Sequence, residues 1–389
     1  MNQGRRVLLT LMGAFFAAMA ARLLVSPLVP EAVAAFETTP GALGLALTGM
    51  WLSYALVQLP AGVLAARHGA RTLVVSGLLV TAVASGLLAA APSALAFGAA
   101  VVALGVGPGL YFPAAAALLA ETNENVGSAL GLHISGGDAA GVVVPLAVTA
   151  VTAAWGWRAT PLLGVALALA AAVGCRLALP APSETAASPA SSGRAELRAA
   201  LGRVFFDPRV RRVVLFAACL AFCFQSITSF LPAYLQAAHG LSPAAANARF
   251  SLAFAVWILG MPVAGRLADT VGTDRVLAAT VVLLGVGVAV TVLAATPLAL
   301  LAGVVLVGLG MTWGGVVGAK VMAALGEDGR TSGYGAVRSA YGVLGASGSV
   351  AVGALATAAG WRVGWSLLLV LVALALCLLA RDARHASAD

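Results

Sequence analysis

The chain is laid out as long apolar runs that a water-soluble fold has no interior large enough to hide. We place twelve of them, at 7–35, 41–66, 72–91, 94–120, 127–153, 158–179, 211–237, 243–265, 274–295, 297–323, 331–358 and 362–380. A helix rises about 1.5 Å per residue, so about 20 apolar residues cross the hydrocarbon core of a bilayer, and each run is about that long or longer. Of the 389 residues only 9% are charged, against about a quarter in soluble domains. The runs are continuous rather than alternating, which argues against a β-barrel and for an all-α membrane protein of twelve transmembrane helices. The first run is too long for a signal peptide and is read as the first span.

Turn chemistry separates the runs, as in Thr39-Pro40-Gly41, Ala91-Pro92-Ser93 and Thr296-Pro297. The segment 181–208 is different. It is polar and rich in Ser and Pro, and it reads as a linker between two six-helix halves, 1–180 and 209–389. The net charge of +8 is not spread evenly. One set of run ends holds Arg5, Arg6, Arg67, Arg71, Arg176, Arg211, Arg212, Arg266, Arg275 and Arg381, whereas the other holds only Arg158, Arg249 and Arg362. Positive loops stay inside, so both termini and the linker are expected in the cytoplasm of a cell bounded by this membrane. The basic balance is then topological and points to no nucleic-acid partner. The four cysteines and four histidines show no metal-ligand spacing.

The halves repeat one another. Ala61, Gly62, Leu64, Ala65 and Gly69 return as Ala264, Gly265, Leu267, Ala268 and Gly272, all at an offset of 203. Gly105-Val106-Gly107 returns as Gly308-Leu309-Gly310, and Gly156-Trp157-Arg158 returns as Gly360-Trp361-Arg362 at an offset of 204. Two parallel six-span repeats imply a pseudo-two-fold axis along the membrane normal. The glycines at 105–109 lie inside an apolar run with no following Lys-Ser/Thr, so they read as helix packing rather than a phosphate loop.

With the repeated link on view, the chain resembles the major facilitator superfamily. The signature G-x-L-A-D-R-x-G-R-R between spans 2 and 3 is met by Gly62, Leu64, Ala65, Arg67, Gly69 and Arg71, with Ala66 in place of the acid. The twin between spans 8 and 9 is met by Gly265, Leu267, Ala268, Asp269 and Gly272, with Arg275 nearby. The resemblance implies a secondary transporter working by alternating access. It also implies a cytoplasmic latch in which Gly62, Arg67, Gly69, Arg71, Gly265, Asp269, Gly272 and Arg275 gate the inner opening, weakened at Ala66 and carried by Asp269.

Ionisable residues inside a span are costly and normally face a cavity or a partner. Arg22 lies 15 residues after Val7, about 22 Å along the helix. Ser26, four residues on, shares its face, and the repeat equivalents are Gln225 and Ser229. These four are expected to touch substrate, with a structural role for Arg22 as the alternative. Asp138 is read as the only carboxylate within a span and as the coupling-proton site or a partner of Arg22. His133 is the weaker relay candidate, five residues away and off its face. Lys320, Arg338 and Tyr341 complete the candidate cavity, with snorkelling as the alternative for the two cations. Arg22, Lys320 and Arg338 against Asp138 leave surplus positive charge, which favours an anion.

The reading is a secondary active transporter that moves a small organic or inorganic anion across the cytoplasmic membrane, with symport of a proton as a further expectation. It acts as a monomer and needs no cofactor or metal. The alternatives are a drug or metabolite efflux antiporter of the same fold, and a membrane receptor that transports nothing. An enzyme is disfavoured because the histidines are scattered and no catalytic cluster is visible.

Overall fold

The structure is a computed structural model that describes residues 3–180, 202, 206–325 and 330–386. The expected linker at 181–208 lies outside the described residues apart from Gly202 and residues 206–208. The described residues form helices and no strand. In order they are α1 (Gln3–Leu23), α2 (Val29–Ala35), α3 (Pro40–His68), α4 (Ala70–Ala89), α5 (Ala94–Thr122), α6 (Val126–Trp155) and α7 (Thr160–Ala178). They continue as α8 (Pro208–His239), α9 (Pro243–Val271), α10 (Thr273–Leu293), α11 (Pro297–Gly310), α12 (Trp313–Leu325), α13 (Arg330–Ala359) and α14 (Trp361–Ala386). Twelve stretches are long and apolar enough to cross a membrane, the first being α1 with α2 and the tenth α11 with α12.

The loop residues explain where the helices start. Thr39, Ser93 and Thr296 cap α3, α5 and α11 by accepting the backbone N–H three residues on, from Ala42, Ala96 and Ala299. Asp207 accepts from Arg209 and Val210 at the start of α8. Pro40, Pro208 and Pro297 open their helices, where a missing N–H costs nothing. Between α3 and α4 the chain turns on Gly69 with φ 84°, and between α9 and α10 on Gly272 with φ 99°. Only glycine takes that conformation without steric cost, which is why the repeated link keeps a glycine at both positions.

Contacts divide the chain into two compact units, Met1–Pro189 with Leu241–Ser251, and Ala190–Gly240 with Leu252–Asp389. In the first, α3 and α4 pack on α5, α4 also on α7, and α1 on α6 and α7. In the second, α8 packs on α13 and α14, and α10 on α11 and α14.

The sequence repeat is a repeat of packing register. A Cβ on Gly105 would lie 2.1 Å from the Met50 carbonyl oxygen and 2.1 Å from Ser53 Oγ. A Cβ on Gly308 would lie 2.6 Å from the Ala253 carbonyl oxygen and 2.9 Å from Val256 Cβ. Gly107 meets Thr81 in the same way that Gly310 meets Leu284. Each contact maps onto its twin at the offset of 203. Small residues let helix backbones touch where no water is present to drive them together, so these glycines are structural.

The first span departs from the continuous helix expected over 7–35. α1 ends at Leu23, and Ser26–Leu28 form a 3₁₀ turn before α2 begins at Val29. Pro27 and Pro30 remove two backbone donors within four residues, which breaks the α-helical ladder. The four-residue helical spacing assumed for Arg22 and Ser26 is therefore interrupted between them.

Candidate functional site

Arg22 occupies the last turn of α1, immediately before the break, and is only 5% exposed. Its guanidinium carbon lies 4.2 Å from the Trp51 ring centroid and 4.5 Å from that of Tyr54, both on α3. Aromatic faces supply a cation with quadrupole attraction while leaving its in-plane N–H groups unspent. Nη1 donates to Met19 Sδ at 3.7 Å, a weak acceptor, and Nε has no hydrogen-bond partner. The buried hydroxyl of Ser26 is likewise without a partner. A charged donor, buried and under-bonded beside two aromatic rings, leaves room in the bonding scheme for an acceptor from outside the chain.

Asp138 is half-buried on α6. The two glycines before it hold α6 on α1. A Cβ on Gly136 would lie 2.8 Å from the Met12 carbonyl oxygen, and one on Gly137 would lie 2.3 Å from the Phe15 ring and 2.9 Å from Met19 Cγ. Gly137 thus meets the turn of α1 that carries Met19, the residue Arg22 bonds.

His133 is fully buried. Its ring stacks on Phe15 at 4.7 Å and on Tyr111 at 5.8 Å, with Phe112 at 6.0 Å. Neither ring nitrogen makes a hydrogen bond of sound geometry, and the neighbouring Leu11 carbonyl already accepts from the Tyr111 hydroxyl at 2.7 Å.

Asp138 is not the only carboxylate within a span. Glu31 in α2 lies within the crossing stretch Gln3–Ala35, is half-buried, and has an Oε2 without a partner. In the sequence it stands in Val29-Pro30-Glu31, inside the first apolar run.

In the second unit, the repeat equivalents bond to α13. Ser229 Oγ lies 2.8 Å from Ser349 Oγ, joining α8 to α13. Gln225 donates through Nε2 to the Gly342 carbonyl at 3.2 Å, while its Oε1 has no partner. Arg338 and Tyr341 are half-buried on α13. The ring of Tyr334, one helical turn before Arg338, lies against Gly318 of α12.

Lys320 is engaged in ion pairs. It donates to Asp274 at 2.9 Å and pairs with Asp382 at 3.3 Å, and Asp382 also takes Arg212 at 2.6 Å. The chain Arg212–Asp382–Lys320–Asp274 ties the ends of α8, α14, α12 and α10 and borders a cleft of about 1310 Å³. Lys320 extends toward this end of its helix because two carboxylates wait there. Asp382 is 15% exposed and shared by two cations, so Asp382→Asn leaves both under-compensated. We expect a loss of about 1–3 kcal/mol, below the cost of breaking a fully buried pair because water still reaches the group. Thermal unfolding in detergent reads that loss, and Lys320→Ala should leave solute affinity unchanged.

The link residues divide. Arg71 bonds the Arg176 carbonyl and so caps the end of α7, while Arg67 is exposed. Gly62 and Gly265 would meet nothing within 4 Å if given a Cβ. Asp269, expected to carry the latch acid, is exposed with no ion pair among the described residues, and the acid in use beside this link is Asp274. Arg275 donates to the Val271 carbonyl at 3.2 Å.

A twelve-span chain with two packing-matched units and a repeated glycine link matches the family model described as Major Facilitator Superfamily over residues 11–271 and again over 233–389. The chain belongs to the major facilitator superfamily and is a multi-pass membrane transporter of the alternating-access type. Among solved structures it is similar to a bacterial homolog of the human lysosomal transporter Spinster in an inward-facing and occupied conformation, at 16% identity over 97% of this chain and 96% of that one, with a TM-score of 0.80. It is similar to the nucleoside transporter NupG at 13% identity over 98% of this chain and 99% of that one, with a TM-score of 0.81. The human organic anion transporter MFSD10 (TETRAN) follows at 16% identity over 97% of this chain and 100% of that one, with a TM-score of 0.71. At such identities the likeness shows the fold alone. No curated protein sequence matches the chain.

Proposed function

We propose that the chain moves a small organic anion, a carboxylate, across the cytoplasmic membrane, with Arg22 as the group that takes its charge. The observation that carries this reading is the guanidinium itself: buried, set against Trp51 and Tyr54, and bonded only to a thioether. A planar guanidinium with free in-plane donors matches a carboxylate bidentately. The surplus of embedded positive charge inferred from sequence is not part of the support. Lys320 is spent in ion pairs, and Glu31 joins Asp138 on the negative side. MFSD10, named as an organic anion transporter, shares the fold, and so does NupG, named for nucleosides.

Asp138 is our candidate for carrying a coupled proton, with Glu31 as a second carboxylate in the same unit. Arg338 and Tyr341 are secondary contacts for the solute. The termini lie in the cytoplasm by the distribution of arginines. The protein works as a monomer, and the links around Gly62 and Gly265 gate the inner side. The test is a panel of carboxylates, inorganic anions, nucleosides, neutral sugars and cations, read as thermal stabilisation of the purified protein and then as uptake into proteoliposomes. Selective stabilisation by carboxylates is the expected result; selective stabilisation by nucleosides, neutral sugars or cations overturns the proposal.

A further inference from the structure

The sulfur beside Arg22 is a nucleophile that the proposed transport does not use. Met19 lies three residues before Arg22 on α1, so the two side chains share a helix face. Its Sδ accepts from Arg22 Nη1 at 3.7 Å, while Nε of the same guanidinium has no hydrogen-bond partner. A thioether is a weak acceptor. It gives the cation a direction but offsets little of its charge, so a carboxylate oxygen can take its place.

Both members of this contact are backed by other helices of the first unit. A Cβ on Gly137 of α6 would lie 2.9 Å from Met19 Cγ, so α6 runs directly against the Met19 chain. The same Cβ would lie 2.3 Å from the Phe15 ring, one turn earlier on α1, and that ring stacks on His133 at 4.7 Å and on Tyr111 at 5.8 Å. Behind the guanidinium stand Trp51 and Tyr54 of α3, at 4.2 and 4.5 Å. Sulfur and cation are thus held facing one another. Arg22 is only 5% exposed, whereas Met19 is half-buried and keeps part of its surface open to a small neutral reagent.

We infer that Met19 is an oxidation site through which a peroxide shuts the solute site. This rests on the reading of Arg22 as the carboxylate anchor. The sulfur lone pair attacks one oxygen of hydrogen peroxide, the O–O bond breaks and an S–O bond forms. Sulfur gives up two electrons, and the departing hydroxide takes the proton of the transferred oxygen and leaves as water. The product is a polar sulfoxide. Its oxygen is a far better acceptor than the thioether, and beside an under-bonded guanidinium it forms a charge-assisted hydrogen bond. That bond uses the donor the carboxylate needs. Oxidation therefore turns a weak placeholder into a competitor, and because the competitor is tethered to α1, dilution does not remove it.

The experiment treats the purified full-length protein with hydrogen peroxide, and peptide mass spectrometry reads the gain of one oxygen at Met19. Binding of acetate, succinate and benzoate is measured before and after treatment on the wild type, Met19→Leu and Met19→Gln. Wild-type affinity for whichever of these binds should fall by about tenfold as Met19 becomes sulfoxide. Met19→Leu keeps the volume without the sulfur, so the same treatment should change its affinity by less than about twofold. Met12, Met261 and Met322 are half-buried too and remain open to the reagent in that variant. Met19→Gln puts an amide oxygen beside the guanidinium and should bind weakly with no peroxide added. It also carries the test if Met19→Leu does not fold. The inference is overturned if Met19 stays unoxidised while Met12 and Met261 react, if Met19→Leu loses affinity as the wild type does, or if Met19→Gln binds as tightly as the wild type. Failure of all the carboxylates to bind the untreated wild type overturns the anion reading beneath it. The solute-free melting temperature of Met19→Gln then still decides the local claim: at or above the wild type if a strong acceptor at this position engages Arg22, below it if none forms.

Discussion

Arg22→Ala should lower the affinity for the carboxylate solute by about 10- to 100-fold while leaving the protein folded. A hydrogen bond to a charged group contributes about 1.5–3 kcal/mol, and each 1.4 kcal/mol is a factor of ten. Arg22→Lys keeps the charge but loses the planar fork that stacks on Trp51 and Tyr54 and grips two oxygens at once, so it should fall between the two. Without solute, the effect on stability should have the opposite sign. A guanidinium buried against aromatic rings with an unbonded Nε is a desolvation cost that the apo protein bears. Arg22→Met removes that cost at similar length, so its melting temperature should equal or exceed that of the wild type, as at other sites where function is kept at the expense of stability. Titration calorimetry and thermal unfolding on the same preparations read both quantities. A melting temperature that drops by several degrees on Arg22→Met, with solute affinity intact, would show the arginine to be a structural strut.

Gly105→Val and Gly308→Val should abolish accumulation of folded protein, whereas Gly62→Ala and Gly265→Ala should not. At Gly105 the added Cβ would lie 2.1 Å from a backbone carbonyl oxygen, and at Gly308 it would lie 2.6 Å from one. A main-chain oxygen in a helix cannot rotate away as a side chain can. The helices must part, and overpacking of that kind costs about 1–3 kcal/mol or more, before the lost contacts along the seam are counted. Size-exclusion profiles of tagged protein should show aggregate or nothing. At Gly62 and Gly265 a Cβ meets no atom within 4 Å, so folding should survive. Gly62→Leu then tests the gate. Slow uptake with a normal melting temperature means that this surface is covered at another stage of the cycle, and normal uptake means that the link does not gate through Gly62.

How much of this was legible in the sequence depends on which interaction dominates. Span positions were, because a bilayer demands about 20 apolar residues and the caps at Thr39, Ser93 and Thr296 are local signals. The repeat was legible too, since helix backbones touch at glycines that no other residue can replace. The break after Leu23 was marked by Pro27 and Pro30 but read through, because hydropathy does not register a missing donor. The ion-pair partners of Lys320 were not legible, for a related reason. Its distance from the helix end was right, but the direction of a long flexible side chain is set by its partners, and Asp274 and Asp382 come from other helices 46 and 62 positions away. The aromatic pair beside Arg22 was out of reach of periodicity, because it joins two helices, yet its echo in Phe254 and Trp257 lay at the same offset already in use.

The register of the glycine seams has an evolutionary consequence. The positions that keep the two units folded match across the duplication, while Arg22 and Gln225, Trp51 and Phe254, and Tyr54 and Trp257 have diverged at corresponding places. These positions were therefore free to change after duplication without any helix having to be repacked. Each half was free to take on its own chemistry, one electrostatic and one neutral, on an inherited frame.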